Sequence, residues 1–103
     1  MAAYRELGRI SDPTILKFFV LYVLQALGGS TAKSALGEVA MMTESASYFD
    51  YAQALDALLS TGHIAVGEEG SYTITPLGED AHGHFYNQVP TWVRGRVGRA
   101  VME

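Results

Sequence analysis

Between Thr43 and Gln88 the apolar residues change period twice. Tyr48, Tyr51, Ala52, Leu55, Leu58 and Leu59 fall on one face at about 100° per residue, the period of a helix. After Gly62, a natural helix stop, Ile64 and Val66 alternate with their neighbours, and so do Tyr72 and Ile74. Glu68-Glu69-Gly70-Ser71 lies between the two pairs as a turn, so the pattern predicts a β-hairpin. Thr75-Pro76 then restarts a helix, the threonine as cap and the proline in the first turn. A helix that runs straight into a short hairpin and out into another helix leaves few architectures open.

The rest of the chain narrows them further. Asp12 and Pro13 begin a helix predicted over Asp12–Leu27. Its apolar residues, among them Leu16, Phe18, Phe19, Val20, Leu21, Val23 and Leu24, run nearly all the way round, so it is expected to be buried on more than one side. Gly28-Gly29 ends it. Ser30 or Thr31 caps a second, shorter helix to about Met41, in which Gly37 costs roughly 1 kcal/mol relative to alanine. Thr43 caps the third helix, predicted to Thr61. The helix begun at Pro76 runs to about Gln88, and after a break at Pro90 a last helical segment carries Val89, Val93, Val97 and Val101 at four-residue spacing. Two helices joined by a tight turn, the second followed directly by a hairpin, predict a winged helix-turn-helix. The fold class expected is α+β, mainly α: one domain over 1–103, with the first helix at 12–27, the helix-turn-helix at 31–61, a two-stranded wing at 63–75 and a C-terminal helical segment at 76–103.

The 103 residues suit one domain, and a hydrophobic share of 49% argues against disorder. The chain has no cysteine, which excludes disulfides and thiolate metal sites. The first nine residues mix charges and lack an apolar run, so no signal peptide is expected. The apolar stretch Ile15–Leu27 is interrupted by Lys17 and Gln25 and is shorter than the ~20 residues a membrane span needs. A soluble, cytoplasmic protein without a membrane partner is expected.

Tyr72-Thr-Ile-Thr-Pro-Leu-Gly78 resembles a wing-to-helix signature shared by several bacterial winged-helix regulators. Together with the segments Leu16–Leu24, Tyr48–Leu55 and Val89–Arg94, it is similar to one group of bacterial winged-helix proteins, a domain of unknown function regarded by fold as transcriptional regulators. The similarity runs from about Asp12 to Val97. It implies a DNA-binding regulator, here shortened at the C-terminus. It also implies a more glutamine-rich middle to the third helix than Ala52-Gln53-Ala54 provides.

A helix-turn-helix reads bases with the exposed face of its second helix and grips phosphates with lysine, arginine and backbone N–H groups. On that basis Ser45, Ser47, Asp50 and Gln53 are expected near bases, and Lys33, Arg94, Arg96 and Arg99 near phosphates. Ala46, Asp50, Gln53, Ala57 and Ser60 are the positions expected to face outward. The charge pattern opposes this function. The net charge is −4, and from Thr31 to Thr75 Lys33 is the sole lysine or arginine, against Glu38, Glu44, Asp50, Asp56, Glu68 and Glu69. Counterion release needs cations facing the duplex. Arg5, Arg9 and Lys17 are the remaining cations. Two functions therefore stand: a homodimeric winged-helix regulator on duplex DNA, or a winged-helix protein–protein interaction module that does not bind DNA. A dimer is expected to use Phe18, Phe19, Tyr22, Val89, Trp92, Val93 and Val97, because the first helix and the valine stripe each carry apolar surface beyond one core's need.

No enzyme activity, cofactor or metal is expected. Glu79 and His82 share a helix face, but carboxylate–histidine metal sites need a second such pair. The chain has no phosphate-binding glycine loop and no nucleophile elbow. Trp92, Phe85 and Tyr86 are candidate walls of an aromatic ligand pocket near a dimer seam.

Overall fold

The computed structural model describes residues 9–102; Arg5, counted above among the cations, and the ends of the expected 1–103 domain lie outside them. Helix α1 spans Pro13–Ala26. The Asp12 carboxylate accepts from the amides of Thr14 (2.8 Å) and Ile15 (3.1 Å), and Pro13 occupies the first turn, where no N–H is needed. Gly28 and Gly29 turn the chain at φ 96° and 87°, and the Gly29 amide returns to the Leu24 carbonyl. Leu16, Phe19, Val20, Leu21, Val23 and Leu24 are all buried, so α1 is the central strut of the core.

Ser30–Ala32 form a short strand, β1, where the sequence led us to expect a helix cap. Helix α2 covers Lys33–Met42, with Ala32 at its N-cap position and no side-chain cap bond. Thr43 closes α2 and does not open the next helix: its hydroxyl donates to the Ala40 carbonyl at 2.7 Å. Glu44 follows at φ 52°, a left-handed turn that non-glycine residues seldom adopt. Helix α3 then begins at Tyr48 and runs to Ser60, capped by Ser47, whose hydroxyl accepts from the Asp50 amide. Its end is a Gly62 turn at φ 80°, with the His63 amide bonded to the Leu58 carbonyl.

Strands β2 (Ile64–Val66) and β3 (Ser71–Ile74) form the expected hairpin around the turn Glu68–Gly70, in which Glu69 takes a left-handed φ of 65°. The sheet has three strands and not two. β1 pairs with the other edge of β3, giving the antiparallel order β1-β3-β2, with Ser30 opposite Thr73 and Ile64 opposite Ile74. Helix α4 covers Pro76–Phe85; a 3-10 turn at Tyr86–Gln88 leads to α5, Thr91–Met102.

The seven-residue stretch Tyr72–Gly78 has a physical logic. The Thr75 hydroxyl donates to the Gly62 carbonyl at 2.6 Å and accepts from the Gly78 amide at 3.1 Å, tying the end of α3 to the start of α4. A Cβ at position 78 would run into the His63 carbonyl oxygen, so only glycine allows α4 to sit this close to the hairpin.

Helix α1 packs against α2, α3, α4 and α5. Val89, Val93 and Val97 are completely buried in the same core, as is Phe19. These four were expected at a dimer interface. Their burial within one chain corrects that expectation, since a side chain already enclosed by its own core has no surface left for a second subunit. Among the described residues no helix is long and apolar enough to cross a membrane.

Candidate functional site

The solvent face of α3 is the first region to test as a binding surface. Buried Tyr51, Ala54, Leu55 and Leu58 fix the inward arc of the helix. Phe49, Gln53, Asp56 and Ser60 lie opposite, within an arc of about 60°, and all four are exposed. The outward face is thus rotated from the expected one. Ala46 is buried in the turn before the helix, Ala57 and Asp50 are half-buried, and Phe49 and Tyr48 are each 67% exposed.

The residues expected near bases separate accordingly. Gln53 is exposed on the solvent face. Ser47 is half-buried and its oxygen serves the helix cap. Ser45 is wholly buried; its hydroxyl donates to the Thr43 carbonyl and its own carbonyl accepts from the Ile10 amide at 2.6 Å. The four-residue shift of the helix start, from Thr43 to Ser47, is what removes Ser45 and Ala46 from the surface.

The expected phosphate contacts are also dispersed. At about 100° per residue Arg94 and Arg96 point to nearly opposite sides of α5, so the three arginines make no single cationic face. Arg94 donates through Nε to the Val89 carbonyl (3.0 Å) and through Nη2 to the Thr91 hydroxyl (3.2 Å), and its guanidinium lies 5.6 Å from the Tyr86 ring centre. Arg96 donates to the carbonyls of Thr43 and Glu44, each at 3.4 Å, and stacks over Trp92 at 4.8 Å. It thereby adds a donor to carbonyls at the C-terminal end of α2, one of which also accepts from the Ser45 hydroxyl. Arg99 is exposed. Lys33 reaches over the Tyr72 ring, with Nζ 5.3 Å from its centre.

Lys33 also marks a feature absent from the sequence-based expectations. A groove of about 520 Å³ opens between α2 and α3 under β3, lined by Lys33, Gly37, Glu38 and Met41 on one side and by Tyr48, Tyr51, Leu55 and Tyr72 on the other. The Tyr48 and Tyr51 rings lie 5.9 Å apart. Burial, with smaller contributions from the Tyr72 and Tyr48 phenols, pushes the Tyr51 hydroxyl up from 10.0 to about 12. Tyrosines 48 and 51 were visible in sequence as a helix stripe. Nothing local tied them to Tyr72, which arrives through the hairpin.

The expected aromatic pocket takes a different form. Phe85 stacks on Phe18 at 5.0 Å, while Tyr86 and Trp92 are partly exposed and carry Arg94 and Arg96. Tyr22 packs on His82 at 5.6 Å. Burial lowers the His82 pKa, and its Nδ1 is buried without a hydrogen-bond partner among the described residues. Glu79 is exposed, and among the described residues no three His, Asp or Glu side chains gather as a metal site requires.

The family described as Domain of unknown function (DUF4364) matches residues 16–103. No curated protein and no solved structure matches the chain.

Proposed function

The chain belongs to the DUF4364 family, a domain of unknown function, and from its exposed helix we propose that it is a winged helix-turn-helix module that works by protein contact. In this reading α2 and α3 are the helix-turn-helix, the β2–β3 hairpin is the wing, and β1 completes the small sheet. The observation that carries it is the solvent face of α3. That face presents Phe49, Gln53, Asp56 and Ser60, with Tyr48 at its edge. Two exposed aromatic rings beside carboxylates suit a protein surface that offers cations and apolar contacts. The hairpin turn adds Glu68 and Glu69, both exposed. A duplex would meet these carboxylates with its own phosphates, and Arg94 and Arg96 hold backbone carbonyls of their own chain. The partner is therefore a basic, partly apolar protein surface.

One observation favours a second reading, a homodimeric regulator on duplex DNA. Gln53 is exposed at mid-helix, where a side chain that pairs with adenine would sit, and Arg99 is exposed on α5. Such a dimer would have to use Trp92, 43% exposed, with Phe18 and Tyr22, since the other expected interface residues are core.

Fluorescence anisotropy with a labelled generic duplex separates the two. The protein-contact reading expects no saturable binding even at low salt. Low-salt affinity that falls steeply as salt rises would overturn it, and the slope, about 0.9 per phosphate contacted, would count the contacts. Gln53→Ala would then show whether α3 is the element in the groove.

A further inference from the structure

We propose that the groove between α2 and α3 binds a small planar aromatic carboxylate. Its size lies in the ~300–1,000 Å³ range of small-molecule sites. Its walls are flat: Tyr48, Tyr51 and Tyr72 come from two different elements and converge over Leu55 and Met41. Such walls suit a planar ring, which can stack or meet them edge to face.

Two polar groups select the rest of the ligand. Tyr51 is 3% exposed, and no other described residue hydrogen-bonds its hydroxyl, which lies beside Gly37, where the helix has no side chain to fill the space. The hydroxyl opens on the groove, where an incoming acceptor can take its proton in a hydrogen bond. Because its pKa is raised, this phenol stays protonated and acts as donor. Lys33 supplies a cation at the groove, held over the Tyr72 face. One carboxylate can take the Tyr51 O–H and pair with the Lys33 ammonium. Glu38, the residue after Gly37, also lines the groove and opposes a second anionic group. The site therefore takes a monoanion.

The site shares Tyr48 with the edge of the exposed α3 face but needs no protein partner, and it is tested on the full chain by amide-shift titration with naphthoate and, as the cationic control, naphthylmethylamine. Saturable naphthoate shifts centred on Lys33, Gly37, Tyr48 and Tyr72 are expected, with naphthylmethylamine weaker. Tyr51→Phe keeps the ring and its packing and should weaken naphthoate about tenfold, the loss of one hydrogen bond to a charged acceptor. Lys33→Ala changes an exposed residue and should erase the preference for the anion. Absence of saturation, equal or tighter binding of the amine, shifts centred on Phe85 or Trp92, or unchanged affinity in Tyr51→Phe would each overturn the proposal.

Discussion

Helices α3 and α5 make opposite use of their apolar residues. In α5 a thin valine stripe, set among arginines and glycines, is enclosed for most of its length: Val93 and Val97 have no exposed surface, nor has Val89 just before the helix, while Val101 at the far end is half-buried. Helix α3 is richer in large apolar side chains, yet Tyr48 and Phe49 stand two-thirds exposed. What decides burial is the surface that meets the stripe. Helices α1 and α2 both pack on α5, so a narrow stripe suffices. Helix α3 buries one arc only, Tyr51, Ala54, Leu55 and Leu58, and among the described residues little covers Tyr48 and Phe49.

The largest effect should come from breaking the α5 side. Val97→Asp places a carboxylate in the centre of the core, where an unpaired charge costs several kcal/mol, comparable with the whole stability of a small domain. Loss of the cooperative thermal transition is expected. A folded monomer with native circular dichroism would mean that the stripe faces a subunit boundary instead. Next in size is Gly78→Ala, which forces α4 away from the His63 carbonyl and should cost about 1–3 kcal/mol by urea denaturation. An unchanged midpoint would show that the hairpin and α4 have room to part at little cost.

The second of these effects lies where the sequence was informative; the first concerns a stripe that the sequence placed at a dimer seam and the fold encloses. The hairpin, the Thr75-Pro76 restart and the Gly62 stop are local signals, and the structure follows them. Strand β1 was hidden because Ser30-Thr31-Ala32 has no apolar alternation; it is a strand only because β3 has a second edge to pair. The start of α3 was misplaced because Thr43 bonds backward to Ala40 and Glu44 turns left-handed, a choice between two capping residues that local sequence does not settle. The arginines illustrate a further limit. Counting charges shows how many there are, but only the fold shows that Arg94 and Arg96 serve carbonyls of their own chain. The groove depends on Tyr72 meeting Tyr48 and Tyr51 across more than twenty residues, beyond the reach of any helical or strand period.

A smaller effect arises where α4 meets α1. Burial lowers the His82 pKa below its ordinary 6.5, so in acid the unfolded chain binds the proton more readily than the folded one. Stability from this group is complete above about 6.5 and declines as pH falls through the lowered folded value. Urea midpoints followed across that window should drop toward acid in the wild type and drop less in His82→Phe, which retains a ring against Tyr22 and Tyr86. An equal drop in the variant would assign the slope to other groups.

The smallest change in stability is expected at Phe49, and it sharpens the contrast most. An exposed phenylalanine on a helix that needs no cover should be dispensable to the fold, so Phe49→Ala should move the unfolding free energy by no more than about 0.5 kcal/mol. If the cost were several times larger, Phe49 would be covered in solution, and a change of the midpoint with protein concentration would identify a second copy of the chain as the cover. If the cost is as small as expected, the ring contributes nothing to the isolated chain. Its place on α3 is then explained by what the helix meets outside the domain, as the protein-contact reading requires.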